Sequence, residues 1–212
     1  MVTRELDEGD PASDASLRES LTLALLGGFV HDVGSPLAAL SSNLSVAMEL
    51  LDSEDPSSRG ELREVLEDLE MATARLTELA SDLRSYTGLP LGRGTFEEVV
   101  RAALRLGRAH LSRRAQVELA LDPGLRAAIP SPELLRTLGE LVVAMTRELH
   151  SGSRRHHLSI RTEAAGFVVE LLPPPPGDAR AAVGVATSRL PSPAEISQDL
   201  DRLVVRVPVA WT

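Results

Sequence analysis

Two runs of apolar residues set the frame for this chain. From Leu26 they recur in alternating steps of four and three, through Val30, Val33, Leu37, Leu40, Leu44, Ala47 and Leu51. A second run does the same at Leu62, Val65, Leu69, Ala72, Leu76, Leu79, Leu83 and Tyr86. A 3.5-residue repeat keeps one seam on one side of an α-helix, which is what knobs-into-holes packing requires. The stretch between them, Asp52-Ser53-Glu54-Asp55-Pro56-Ser57, is polar and carries a proline, so it reads as the connector of an antiparallel hairpin. Ser16-x-x-Glu19 and Ser58-x-x-Glu61 read as capping boxes opening the two helices. Two amphipathic helices of this length bury little surface alone, and a second copy would complete a four-helix bundle, so a homodimer is expected.

The charge divides the chain at one place. Residues 1–90 carry 18 acidic residues and 6 arginines, whereas residues 91–212 carry 13 and 16. The change falls in the turn-rich stretch 88–94, which marks a domain boundary. The reading is a disordered acidic tail over 1–15, a helical hairpin over 16–90 and a second domain over 91–212. In that second domain, residues 95–111 look helical with Thr95 as cap, and Ser131 caps a helix running to about Leu149. Residues 115–121, 157–161, 166–172 and 202–209 alternate like strands. Helices would lie on one face of a short mixed or antiparallel sheet, an α+β layer.

Composition removes several function classes. The formal charge of −9 argues against a general nucleic-acid binder. The chain has no cysteine, so thiol nucleophiles, disulfides and cysteine-based metal sites are excluded. All 22 basic residues are arginine, which excludes a Walker A loop and Schiff-base chemistry. The acidic N-terminus is unlike a targeting peptide, and the apolar stretch 21–30 is too short to cross a bilayer; a cytoplasmic protein without a membrane partner is expected.

One constellation on the first helix carries chemistry: His31-Asp32-Val33-Gly34-Ser35-Pro36. With Val30 and Leu37 in the seam, His31 lies one step and Asp32 two steps off it, so both are expected to point outward. Pro36 removes a helical hydrogen bond, and Gly27, Gly28 and Gly34 each cost roughly 1 kcal/mol relative to alanine. A neutral imidazole is a good nucleophile near pH 7, and a neighbouring carboxylate can hold the proton on one nitrogen while the other attacks. Ser35, Ala38 and Ser42 are small neighbours on the same side that leave room for a partner.

Phe29-Val30-His31-Asp32-Val33-Gly34-Ser35-Pro36-Leu37-Ala38-Ala39-Leu40 resembles the H-[ED]-x-x-[STN]-P-[LV]-x-[AS]-[IL] box of the dimerisation and histidine-phosphotransfer domain of sensor histidine kinases. The Asp and the Ser-Pro also resemble the cell-cycle (ChpT-like) histidine phosphotransferases of bacterial phosphorelays, which do not bind ATP. The stretch 76–86 looks like the second bundle helix of the same domain. Over 95–212 the element order is similar to a kinase ATP-binding domain, but its motifs are missing. The chain has one asparagine, Asn43, so the Mg²⁺-holding asparagines cannot stand on the helix that reads Leu138-Gly139-Glu140-Leu141-Val142-Val143-Ala144-Met145. Pro173-Pro174-Pro175-Pro176-Gly177-Asp178 stands where the adenine-reading box would be, and Gly184 is alone where a glycine-rich lid would be.

The resemblance implies an antiparallel two-helix hairpin forming a dimeric four-helix bundle, followed by a degenerate kinase-ATPase-like α/β sandwich. It implies a phosphoryl group accepted on His31 from a receiver aspartate and passed to another response regulator, with Asp32 orienting the imidazole and Ser35, Pro36, Ala38 and Ser42 supporting the site. No cofactor is expected in this chain; Mg²⁺ would come from the receiver domain. The partners implied are response-regulator receiver domains, with a hybrid histidine kinase as a further candidate. A non-catalytic pseudokinase regulator and a divergent ATP-dependent kinase are the alternative readings. His110, His150, His156 and His157 invite a metal reading, but the adjacent Arg154 and Arg155 and the lack of a nearby carboxylate favour an ordinary surface.

Overall fold

The computed structural model describes residues 11–53, 55, 57–87, 95–111, 114–129, 131–147, 149, 156–177 and 179–212. The boundary stretch 88–94 lies outside them, as do Arg113, His150, Arg154 and Arg155. Helix α1 runs Pro11–Leu51 and α2 runs Ser58–Tyr86, and they pack as the expected antiparallel hairpin. Two boundary expectations are corrected. Residues 11–15 belong to α1, whose first residue is a proline, the position where a missing N–H costs nothing; Ser16 is therefore inside the helix and caps nothing. At α2 the N-cap is Ser57 and makes no side-chain cap bond, while Ser58 is buried and donates to Ser53 Oγ at 2.9 Å.

The seam divides into two lines. On α2, Ala72, Leu79 and Tyr86 are buried and the remaining seam residues half-buried against α1. On α1, Leu26, Val33, Leu40 and Ala47 turn inward. The interleaved residues do not: Val30, Leu37, Leu44 and Leu51 are 67%, 51%, 56% and 68% exposed. With Leu23, at 61%, they form a heptad line along the outside of the hairpin. By length and composition alone, α1 is also long and apolar enough to cross a membrane.

The second unit begins with α3 (Phe96–Leu106), opened by a complete capping box between Thr95 and Glu98. Gly107 is its C-cap, and a Cβ there would lie 2.9 Å from Val142 Cγ1; the chain restarts as α4 (Arg108–Leu111) rather than continuing as one helix. Strand β1 (Ala115–Ala120), α5 (Ser131–Thr146), β2 (His156–Glu163), β3 (Gly166–Leu172), α6 (Arg180–Thr187), β4 (Glu195–Gln198) and β5 (Leu203–Pro208) follow. The sheet order is β1-β2-β3-β5-β4, with β1 parallel to β2 and the other pairs antiparallel. Leu158, Ile160, Phe167, Val169, Leu171, Leu203, Val205 and Val207 are buried at alternate strand positions, so one face of the sheet lies against the helices.

The two units share one core. Leu21, Leu25 and Phe29 of α1 belong to the same buried apolar cluster as Leu138, Leu141 and Val142 of α5 and Val183 of α6. Leu25 Cδ2 sits where a side chain on Gly139 would be, 3.0 Å from its ideal Cβ. Polar groups fix the same junction. Arg105 makes a two-point ion pair with Asp82, at 2.6 and 2.8 Å, and this bond raises the guanidinium pKa. Arg136 donates to the Tyr86 carbonyl. Glu140, fully buried on α5, accepts from Arg189 at 2.9 Å and from Thr22 of α1 at 3.3 Å. Removing either of the Arg189 or Glu140 charges would leave the other without its counter-ion in an apolar setting.

Candidate functional site

An α-helix returns to the same side after four, seven and eleven residues, so His31, Ser35, Ala38 and Ser42 share one face of α1. All four are exposed. This face is distinct from the heptad line and from the side that meets α2. Three small residues below the histidine make a shallow, unobstructed approach to it. Pro36 is half-buried, and α1 passes through it without a break.

The His31 side chain is 82% exposed, as its place off the seam predicts. Asp32 departs from expectation: its side chain is only 16% exposed. Its Oδ1 lies 3.5 Å from His31 Nδ1. That is a long contact, attractive to an Nδ1 proton and too loose for a strong hydrogen bond. Asp32 Oδ2 is shielded from solvent and has no hydrogen-bond partner. The arrangement leaves Nε2 of His31 as the outward nitrogen. A proton held on Nδ1 toward the carboxylate places the free lone pair on Nε2, the tautomer a nucleophile needs.

The glycines around the histidine have different causes. Gly27 and Gly34 have open space where a Cβ would stand. At Gly28 a Cβ would lie 2.9 Å from Ala109 Cβ and 3.6 Å from the His110 ring. Gly28 is thus a notch that admits α4, and through it His110 Nε2–H donates to the Ala24 carbonyl at 3.0 Å. Sequence reasoning weighed His110 only as a metal ligand and read it as ordinary surface; the Gly27-Gly28 pair in a helix was the available signal of close approach.

The other two described histidines, His156 and His157, have ordinary partners. His156 Nδ1–H donates to the Pro173 carbonyl at 2.8 Å, and His157 Nε2 lies 3.0 Å from Glu118 Oε2. The expectation that no carboxylate stands near them is corrected by Glu118, brought alongside by the parallel β1–β2 pairing. No group of three or more metal-binding side chains occurs among the described residues.

On α5, the residues from Leu138 to Met145 are all buried. One side of that helix is covered by α1, with Leu25 on Gly139 and Thr22 on Glu140.

No protein-family model matches this sequence, and no curated protein does. Among solved structures the chain is similar to the histidine kinase AdeS of Acinetobacter baumannii, at 15% identity and a TM-score of 0.41, over 84% of this chain and 97% of that one. A bacterial phosphotransferase is similar at 12% identity and a TM-score of 0.46, over 88% and 94%. The cytoplasmic segment of the histidine kinase QseC is similar at 15% identity and a TM-score of 0.41, over 74% and 97%. Function therefore has to be argued from the residues of this chain.

Proposed function

We propose that this chain is a dimeric histidine phosphotransferase of a two-component phosphorelay, which takes a phosphoryl group on His31 from one receiver aspartate and gives it to another. The observation that carries the reading is the outward Nε2 of His31, with a shielded carboxylate at Nδ1 and a face of small residues beneath. In the forward step, the Nε2 lone pair attacks the phosphorus of an aspartyl phosphate. The P–N bond forms, the P–O bond to the aspartate breaks, and the aspartate leaves as a carboxylate. Asp32 stabilises the positive charge that develops on the imidazole. Reversal onto a second receiver restores the neutral ring. Neutralisation of the phosphoryl oxygens falls to the receiver's own Mg²⁺ site.

A phosphoryl carrier needs no nucleotide. The helix that would hold Mg²⁺–ATP in a kinase here carries a buried Glu140 in place of an amide, and its outer side serves as packing surface for α1. The outer heptad line of α1 supports the dimer: it continues the seam that joins α1 to α2, at the spacing a second bundle would use. The same covered α5 favours a second reading, a pseudokinase that binds a kinase or receiver without carrying phosphate.

The test mixes phosphorylated receivers with the protein and with a His31→Ala variant and follows label over seconds to minutes. Acid-labile label on the protein and none on the variant is the expected result. No label on folded, dimeric protein from any receiver overturns the carrier reading and leaves the regulator.

A further inference from the structure

Building on the carrier reading, we propose that His110 is a positioning residue for His31, and that the second unit acts through it as a brace for the phosphoacceptor helix. The need for a brace is written into α1. Gly27, Gly28, Gly34 and Pro36 all fall within ten residues, each weakening the helix around His31. Ordinary packing against α2 touches only the opposite side of this segment. On the histidine's own face, support comes from α4.

Three observations place that support. Ala24, Gly28 and His31 follow one another on the same face of α1, at i, i+4 and i+7. The Ala24 carbonyl, about 10 Å along the helix from His31 at 1.5 Å per residue, accepts the Nε2–H of His110 at 3.0 Å. Gly28, one turn before His31, is the residue whose missing side chain lets Ala109 and His110 come this close. Leu111, 6% exposed, anchors α4 in the core next to His110. A carbonyl has two lone pairs, so this bond adds to the helical one without displacing it. The result is a weakened helix pinned on the N-terminal side of its reactive residue and free on the C-terminal side, where Ser35, Ala38 and Ser42 receive the partner.

The role is that of a donor, and this makes it separable from mere filling of space. In the full-length protein, His110→Gln keeps an N–H within reach of Ala24, whereas His110→Phe fills the volume and donates nothing. Two readouts apply: backbone amide exchange over residues 25–35, and the initial rate of label transfer to His31. The expected result is faster exchange and transfer slowed about fivefold, the factor one neutral hydrogen bond carries, in His110→Phe, with both readouts restored in His110→Gln. Wild-type exchange in His110→Phe overturns the brace, and so does a His110→Gln variant as impaired as His110→Phe. If the exchange pattern is as expected but the wild type takes no label, the brace stands and the phosphocarrier reading falls.

Discussion

Replacing Leu37 and Leu44 together by alanine should dissociate the proposed dimer while leaving each hairpin intact. The two side chains are 51% and 56% exposed in a single chain, so about half of each remains to be buried by a partner. Fully burying a leucine contributes roughly 1.5–3 kcal/mol, which leaves about 1 kcal/mol for each of these. Two sites in each of two chains then account for about 4 kcal/mol. At 1.4 kcal/mol per tenfold, the dimer constant should weaken by two to three orders of magnitude, roughly. Alanine is the best helix former, so the helix itself loses nothing by the exchange. Leu40→Ala is the matched control: Leu40 turns toward α2 within one chain, so its loss should lower the melting temperature and spare the dimer constant. Sedimentation equilibrium measures the association, and circular dichroism melting measures the fold. A Leu37→Ala/Leu44→Ala protein that associates as the wild type does, or a wild type that is monomeric throughout the micromolar range, would refute the assignment of this line to a second copy.

Two further predictions bear on the junction between the units. Tyr86 is the single tyrosine of the chain, so absorbance at the tyrosinate band reports on it alone; burial first, against the opposing effect of its bond with Thr22, raises its pKa above the ordinary 10.0. The titration midpoint should lie above 10.0 in the native protein and at about 10 when unfolded. Because the folded pKa is the higher one, this contribution to stability is fully present below pH 10 and is lost as pH rises through the native midpoint. Tyr86→Phe should flatten that alkaline loss, and a native midpoint at or below the unfolded one would contradict it. Leu25→Ala, at a residue 1% exposed against Gly139, should destabilise the whole chain by about 2–5 kcal/mol in urea unfolding. A smaller loss confined to one of two transitions would show that the units do not share a core.

How far the sequence carried the fold depended on whether a pattern was long enough to have a period. The seams of α1 and α2 repeat over many turns, and the hairpin follows from them. Helix α6 is eight residues and contains Gly184, and β4 is four; neither is long enough to show a period, and both were missed. Serine with a glutamate three residues on predicts a cap only where the preceding chain is not helical. That held at Thr95 but failed at Ser16, which α1 simply runs through. The site was legible in the same measure. His31 stands out because the seam fixes its direction, and the structure leaves it exposed. Asp32 was placed outward by the same arithmetic, but a seam describes only the partner helix and is silent about the other flanks, and the side chain is 16% exposed. The contact at Gly28 was legible only as far as the Gly27-Gly28 pair signals a close approach; the pair does not say that Gly28 rather than Gly27 meets the neighbour, or that the neighbour is α4.

The core that runs unbroken from α1 through α5 and α6 sets terms for how this chain can change over generations. Leu21, Leu25 and Phe29 are at once part of the helix that carries His31 and part of the interior of the unit behind it. Deleting that unit would strip these three side chains, together with Leu79 and Tyr86, of their cover and leave a sticky helix pair in its place. A domain joined by a flexible tether can be discarded once its original chemistry is gone. One whose interior is continuous with its neighbour's must be kept, and its surface then becomes raw material for recognition while its inside is held constant. Selection on the histidine and selection on the domain behind it act on the same residues.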